Sequence, residues 1–192
     1  MEIRRDFYLD KLIKRKTNGL IKVITGIRRC GKSYLLNNLF YHHLLDSGVD
    51  ADHILRFAFD SADDLYLIGE SLIQIEKKKR GVDPEKFMAY IRSKVVDEGM
   101  YYLLLDEIQM LDCFEAVLNG YLRKNNMDVF VTGSNAKLLS KDIATEFAGR
   151  GDEVHMYPLS FAEFMSVYNG DKYTGLSEYM LYGGIPLVVL RE

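Results

Sequence analysis

Apolar residues along this chain form two kinds of segment, short continuous runs and longer stretches in which they recur every three or four positions. The short segments have the length of strands and occupy residues 20–25, 53–59, 101–105, 129–132 and 153–157. The longer, amphipathic stretches are typical of helices and occupy residues 6–16, 34–45, 84–96 and 111–122. Because strands that alternate with helices make right-handed crossovers, the pattern predicts an α/β fold, with a central parallel sheet of about five strands and helices on both faces.

Two parts of the chain carry a less regular pattern. Residues 61–83 contain enough apolar positions for one amphipathic helix, followed by the basic run Lys77-Lys78-Lys79-Arg80. We interpret this run as a solvated loop, with contact to nucleic acid or a partner as the alternative. Beyond residue 160, two short helices precede an apolar run that continues to Leu190. The sequence therefore predicts a core at residues 1–160 and a helical extension at residues 161–192, expected to be the start of a truncated C-terminal region.

The composition limits the class of protein. With 192 residues, 48% apolar and 28% charged, the chain is long enough for one well-buried domain and too apolar to be disordered. Its apolar runs fall far short of the ~18 residues that a membrane span needs, and the N-terminus lacks the apolar core of a signal peptide. The two cysteines favour a reducing cytoplasm without disulfides. A net charge of −3 gives no bulk attraction to DNA, although a local basic face stays open.

The first candidate for chemistry lies between the first predicted strand and the helix after it. Residues 26–33 read G-x-x-x-x-G-K-S, the pattern of a loop whose backbone N–H groups surround phosphates. We expect Lys32 to reach the β- and γ-phosphates and Ser33 to ligate Mg²⁺ through its hydroxyl. The alternative, a glycine-rich turn that binds nothing, would not need the Lys-Ser pair. The predicted nucleotide-binding residues are Gly26, Ile27, Arg28, Arg29, Cys30, Gly31, Lys32, Ser33 and Tyr34.

A second candidate follows the apolar run at residues 101–105. Asp106 and Glu107 come directly after this predicted central strand, at the edge where ligands bind in open α/β sheets. We expect Asp106 to hold Mg²⁺ and Glu107 to orient and polarise an attacking water. Acidic residues also end many strands without any chemistry, which is the alternative interpretation. A positioned glutamate argues against a kinase, because a kinase needs an acceptor pocket instead of a water.

Three further residues complete the predicted catalytic set. Ser134 and Asn135 follow the strand at 129–132, where either side chain could contact the γ-phosphate; the alternative is that Ser134 caps the next helix. Arg150 lies between two glycines and could act on the nucleotide of a neighbouring subunit. Its alternative is a salt bridge with Asp152 or Glu153.

Five sequence blocks, taken together, resemble one family. They are Gly26–Ser33, Leu105-Asp106-Glu107-Ile108-Gln109, Thr132-Gly133-Ser134-Asn135, Gly149-Arg150 and Pro158-Leu159-Ser160-Phe161-Ala162-Glu163-Phe164. In this order they resemble the prokaryotic AAA-type P-loop ATPases that are archaeal-ATPase-like. The resemblance implies a P-loop NTPase of the additional-strand catalytic-glutamate type, with the strand at 129–132 inserted between the first and third.

The resemblance also implies roles for particular residues. Lys32 and Ser33 would bind phosphate and Mg²⁺, Asp106 would bind Mg²⁺, and Glu107 would act as the base. Ser134 and Arg150 would be candidates for sensing. In family members, the block that matches residues 183–186 leads into a C-terminal winged-helix and nuclease-like region.

From these observations we expect an ATPase that binds Mg-ATP and hydrolyses it to ADP and phosphate, with the cycle coupled to a C-terminal domain or a partner. The main alternative is an ATP-dependent binding switch with negligible hydrolysis that presents a surface to protein or DNA. A third hypothesis is a P-loop kinase. We expect ATP and Mg²⁺ as the cofactors and a cytoplasmic location away from membranes. A homo-oligomer, and a protein or DNA partner reached through the missing C-terminal region, stay open.

Overall fold

The computed structural model describes residues 3–133 and 149–186, and their framework is a parallel sheet. Its strands are β1 (Ile21–Thr25), β2 (Ile54–Ala58), β3 (Tyr101–Asp106), β4 (Met127–Thr132) and β5 (Gly151–His155). They lie in the order β2-β3-β4-β1-β5, and each neighbouring pair is parallel. The predicted five-stranded parallel sheet is confirmed, and β4 is inserted between β1 and β3 as expected.

Helices precede, connect and follow these strands. They are α1 (Asp6–Ile13), α3 (Ala62–Leu67), α4 (Leu72–Lys78), α5 (Pro84–Lys94), α6 (Phe114–Leu122), α7 (Phe161–Met165) and α8 (Lys172–Tyr182). The helix after β1, which we name α2, runs over residues 32–46 and combines Lys32–Tyr34, a π-helical segment Leu35–Phe40, and Tyr41–Asp46. Short 3₁₀ turns lie at Ala51–His53 and Ile108–Met110. No helix in the described ranges is long and apolar enough to cross a membrane.

The core consists of two layers, one on each face of the sheet. Alternate side chains of β3 pack on opposite faces of the sheet: Leu103 and Leu105 belong to one layer, and Leu104 belongs to the other. The first layer contains the inner faces of α5 and α6, while the second contains those of α1 and α2. Helices therefore cover both faces, and the strong apolar run of β3 reflects burial on both sides.

The segment between β2 and α5 differs from the predicted single helix. It forms two short helices, α3 and α4, separated by Gly69, whose φ of +68° suits a glycine. The next residue, Glu70, is buried and pairs with Arg80 and Lys86. The basic run is thus divided, because its three lysines are exposed while Arg80 compensates a buried carboxylate. The interpretation of the whole run as a solvated loop is wrong for Arg80.

A buried ion pair joins β1 to β4 near their N-terminal ends. Lys22 is fully buried, its ammonium donates to Asp128, and the carboxylate also accepts a bond from the backbone N–H of Thr17 at 2.8 Å. Burial lowers the pKa of Lys22, and the Asp128 carboxylate opposes this effect. A charge in this position is tolerated because it is paired.

Removing Asp128 is therefore expected to destabilise the protein strongly. In an Asp128→Ala variant the Lys22 ammonium would stay buried without its counter-ion, which typically costs about 3–5 kcal/mol. Urea unfolding followed by circular dichroism measures this loss. As a control, Asp152→Ala breaks the more exposed pair with Arg15 and should cost at most about 1 kcal/mol. Equal stabilities for the two variants would contradict the prediction.

Candidate functional site

The loop between β1 and α2 depends on glycine at two positions. Gly26 has φ +143°, and a Cβ atom there would lie 2.2 Å from the carbonyl oxygen of Met156, so a side chain does not fit. Gly31 has φ +102° and begins α2 in a left-handed conformation that glycine adopts readily. The predicted loop pattern therefore corresponds to a sharply curved segment at the C-terminal end of β1.

Lys32 lies across the inside of this loop. Its Nζ atom donates hydrogen bonds of 3.0 Å each to the carbonyl oxygens of Gly26 and Ile27, and the residue is only 5% exposed. The ammonium is thus held at the centre of the loop by two acceptors that a phosphate group could replace. The phosphate-binding role of Lys32 stays a prediction.

Asp106 ends β3 beside the loop, and three side chains donate to its carboxylate. The Ser33 hydroxyl donates to Oδ1 at 3.1 Å, and the Thr132 hydroxyl donates to the same oxygen. The Asn37 amide donates to Oδ2 at 3.2 Å. Burial raises the pKa of Asp106, while the bonds from Thr132 and Ser33 oppose this effect.

The two predicted Mg²⁺ ligands are adjacent in the structure. A serine hydroxyl and a buried carboxylate are hard oxygen donors of the kind that Mg²⁺ prefers, and Mg²⁺ commonly takes its other ligands from water and substrate phosphates. In the described ranges no group of three or more His, Cys, Asp and Glu could hold a metal alone. The donor set of Ser33 and Asp106 therefore fits Mg²⁺ bound together with a nucleotide.

Glu107 has a backbone orientation different from that of Asp106. Its φ is +53°, and its N–H donates to the Thr132 hydroxyl at 3.2 Å. The Gln109 amide donates to one of its carboxylate oxygens. Glu107 lines the same cavity as Lys32 and Ser33, so the structure brings the predicted base and the predicted phosphate ligands together.

This cavity has a volume of about 350 Å³ and is lined by both polar and apolar residues. Its lining comes from residues that are far apart in the sequence: Ile3, Arg5, Arg29, Gly31, Lys32, Ser33, Tyr34, Glu107, Leu159 and Pro186. The volume falls in the range of small-molecule and cofactor sites. The contributions of Ile3, Arg5, Leu159 and Pro186 are not among the site residues predicted from the sequence.

Arg5 contacts the loop directly although it lies before α1. Its guanidinium donates to the carbonyl oxygens of Cys30 at 3.1 Å and Tyr157 at 2.7 Å, and it pairs with Glu163 at 2.8 Å. The guanidinium also lies over the ring of Tyr8, 4.7 Å from its centroid. The side chain is 3% exposed, so this cation is held almost wholly by protein groups. No local sequence signal distinguishes Arg5 from the neighbouring Arg4.

The other predicted loop residues vary in exposure. Ile27, Arg28, Arg29 and Tyr34 are exposed, and Arg29 and Tyr34 line the cavity. Cys30 is fully buried, and burial raises the pKa of its thiol, although the nearby charges of Lys32 and Arg5 act to lower it. A buried thiol of this kind has little thiolate character, which agrees with a structural role.

The structure does not bring Arg150 to the loop of its own chain. Its carbonyl accepts from the N–H of Ile21 at the start of β1, roughly 15 Å of strand from the loop. Its guanidinium donates to Asn119 at 3.1 Å, while Asp152 pairs with Arg15 and Glu153 accepts from Thr25. The alternative of a salt bridge to Asp152 or Glu153 is therefore wrong. Ser134 and Asn135 lie outside the described residues, and their predicted role stays a prediction.

Comparison with known proteins assigns the fold and the domain. A family model described as an AAA domain matches residues 18–165, a span that contains all five strands and the loop. Among solved structures, a Walker-type ATPase of Pyrococcus abyssi superposes with a TM-score of 0.60 at 20% identity, over 98% of this chain and 66% of that chain. Together with the strand order, this likeness confirms the predicted α/β P-loop NTPase fold.

Curated relatives extend well beyond the matched region. The chain is 36% identical to an uncharacterized protein of Haemophilus influenzae over 196 residues, which is 99% of this chain and 45% of the relative. It is 30% identical to an uncharacterized protein of Methanocaldococcus jannaschii over 208 residues, which is 99% of this chain and 40% of that relative. The chain thus spans less than half the length of these relatives.

Proposed function

Because the chain belongs to the AAA domain family, we propose that it binds ATP with Mg²⁺ and hydrolyses the ATP to ADP and phosphate. The observation that carries this proposal is the position of Glu107, which lines one cavity together with the loop lysine and serine. A site for phosphate and a carboxylate able to act on water are then within one volume. The chemistry needs positioning and charge compensation more than covalent catalysis.

The phosphates of ATP would be bound by the loop. The Lys32 ammonium donates to two loop carbonyls, and phosphate oxygens are stronger acceptors for the same donor. The N–H groups at the start of α2 would add donors to the same phosphates. Ser33 and Asp106 would hold Mg²⁺, which when bound neutralises charge on the β- and γ-phosphates.

Glu107 would act on the attacking water. The Gln109 amide donates to its carboxylate, and the Thr132 hydroxyl accepts from its backbone N–H. The Asp106 carboxylate has other donors, Ser33, Thr132 and Asn37. One carboxylate would then serve the metal while the other accepts a proton from water. The apolar part of the cavity, near Ile3, Leu159 and Pro186, would receive the rest of the nucleotide.

A direct test of the proposal is Mg²⁺-dependent release of phosphate from ATP by the purified protein. We expect release that stops when EDTA removes the metal. Binding of ATP without release would instead support a binding switch, and transfer of phosphate to an acceptor would support a kinase. For the whole protein we further propose that the ATP cycle moves a C-terminal part or a partner in the cytoplasm. The relatives are more than twice as long as this chain, which leaves room for such a part.

Arg150 lies too far from its own loop to act there, and we propose that it acts on the nucleotide of a neighbouring subunit. Turnover per subunit is then expected to rise with protein concentration. An arginine supplied between subunits contributes roughly 10³–10⁵ in rate in related chemistry. Steady-state ATP turnover over a wide range of protein concentrations measures the effect. Arg150→Ala should remove both the rise and most of the rate. Arg123→Ala, an exposed arginine at the end of α6, is the control. A rate per subunit that stays constant with concentration contradicts the prediction.

A further inference from the structure

The segment just after the loop contains an irregularity that the proposed function does not explain. Residues Leu35–Phe40 of α2 are π-helical, although the segments on either side are α-helical. A π-helical turn has i→i+5 hydrogen bonds and is found often at functional sites. Asn37 lies in this segment, four residues after Ser33, and its amide points at the end of β3.

The two oxygens of the Asp106 carboxylate have different hydrogen-bond donors. Oδ2 accepts from the Asn37 amide at 3.2 Å, whereas Oδ1 accepts from the hydroxyls of Ser33 and Thr132. A carboxylate that accepts hydrogen bonds at both oxygens cannot rotate freely about its Cβ–Cγ bond. The Oδ1 atom is therefore kept on the side of Ser33, which is the side of the proposed metal.

A second residue contacts the π-helical segment from the sheet. Arg56, on strand β2, donates to the backbone carbonyl of Asn37 at 3.4 Å, and its guanidinium lies 3.9 Å from the centroid of the Tyr41 ring. Strand β2 pairs with β3, and Ala58 lies opposite Asp106. Strand β2 thus contacts both parts of this arrangement: it binds the backbone of Asn37 through Arg56, and it pairs with β3, which ends in Asp106.

We propose that Asn37 is a positioning residue for the metal site: its amide fixes the Asp106 carboxylate in the orientation that binds Mg²⁺. This inference rests on the proposed function, because it concerns the same site. Partners that orient a ligating carboxylate typically change metal affinity by 10–100-fold when they are removed. Asn37 belongs to the helix beyond the loop motif and does not line the cavity.

The experiment is a titration of Mg²⁺ into the protein with a fluorescent ATP analogue, with the Mg²⁺ concentration at half-maximal enhancement of binding as the readout. For Asn37→Ala we expect this midpoint to rise by about 10–100-fold, while binding of the analogue without Mg²⁺ stays at the wild-type value. Asn37→Leu retains most of the side-chain volume and removes the donor, and it should show the same shift. The readout does not depend on turnover.

The matched control is Asn38→Ala. Asn38 belongs to the same π-helical segment but lines a different depression, with Leu9 and His43, and does not line the cavity at Lys32. The midpoint of Asn38→Ala should therefore equal that of the wild type. A folded Ala or Leu variant of Asn37 with the wild-type midpoint overturns the inference. A role in packing alone would lower stability and Mg²⁺-free binding together without moving the midpoint. If the wild type shows no Mg²⁺-dependent binding, the proposed function itself fails.

Discussion

Replacement of Lys32 by alanine is expected to abolish nucleotide binding at ordinary concentrations. The ammonium lies buried at the centre of the loop, and with ATP bound it would donate to phosphate oxygens instead of the carbonyls of Gly26 and Ile27. A hydrogen bond to a charged group contributes about 1.5–3 kcal/mol, so two such bonds correspond to roughly 10²–10⁴-fold in affinity. Isothermal titration calorimetry with ATP and Mg²⁺ measures the loss.

The control for this variant is Lys14→Ala, which removes an exposed lysine just after α1. It changes the net charge by the same amount and should leave the affinity for ATP as it is in the wild type. Thermal unfolding of both variants tests whether the loop lysine is needed for folding. If Lys32→Ala bound ATP within about threefold of the wild type, a role of the loop in phosphate binding would be untenable.

Glu107→Gln is expected to retain ATP binding and to lose turnover. Glutamine keeps the size of the side chain but cannot accept a proton from water, and general-base catalysis typically contributes about 10²–10⁴-fold in rate. Asp106 and Ser33, which would hold the metal, are unchanged in this variant. Phosphate release under saturating ATP, together with a separate binding titration, distinguishes lost chemistry from lost binding.

One control variant and two possible outcomes decide the role of Glu107. Glu98→Gln neutralises an exposed glutamate before β3 and should turn over ATP at the wild-type rate. Turnover of Glu107→Gln at the wild-type rate would refute the role that we assign to Glu107. Slow turnover in the wild type, insensitive to this substitution, would favour an ATP-dependent binding switch.

The features that the sequence predicts well are those with a local signal. Burial on both faces makes β3 an unbroken apolar run, so its position is evident from the sequence alone. The pattern of the loop likewise reflects requirements inside eight residues, such as the lack of space for a side chain at Gly26. The place of Asp106 and Glu107 at the end of β3 could be predicted because they directly follow a recognisable apolar run, while their roles stay predictions.

The features that escaped prediction depend on distant contacts. Arg5 and Arg4 are alike in sequence, and only the fold distinguishes them, because Arg5 is buried against Tyr157 and Glu163 while Arg4 is exposed. Arg80 looks like part of a solvated basic run until Glu70 is found buried beside it. The π-helical segment has no simple pattern of apolar positions, since its apolar residues also suit an α-helix.

The contacts of Arg5 have a consequence for how the protein folds. The guanidinium donates a hydrogen bond to the carbonyl of Tyr157, 152 residues later in the chain. It also donates to the loop carbonyl of Cys30. Contacts between residues far apart in sequence form slowly, because a long loop must close before they are made. The proposed nucleotide site is thus expected to be among the last parts to form during synthesis, so nascent chains should fail to retain ATP until the segment after β5 has docked.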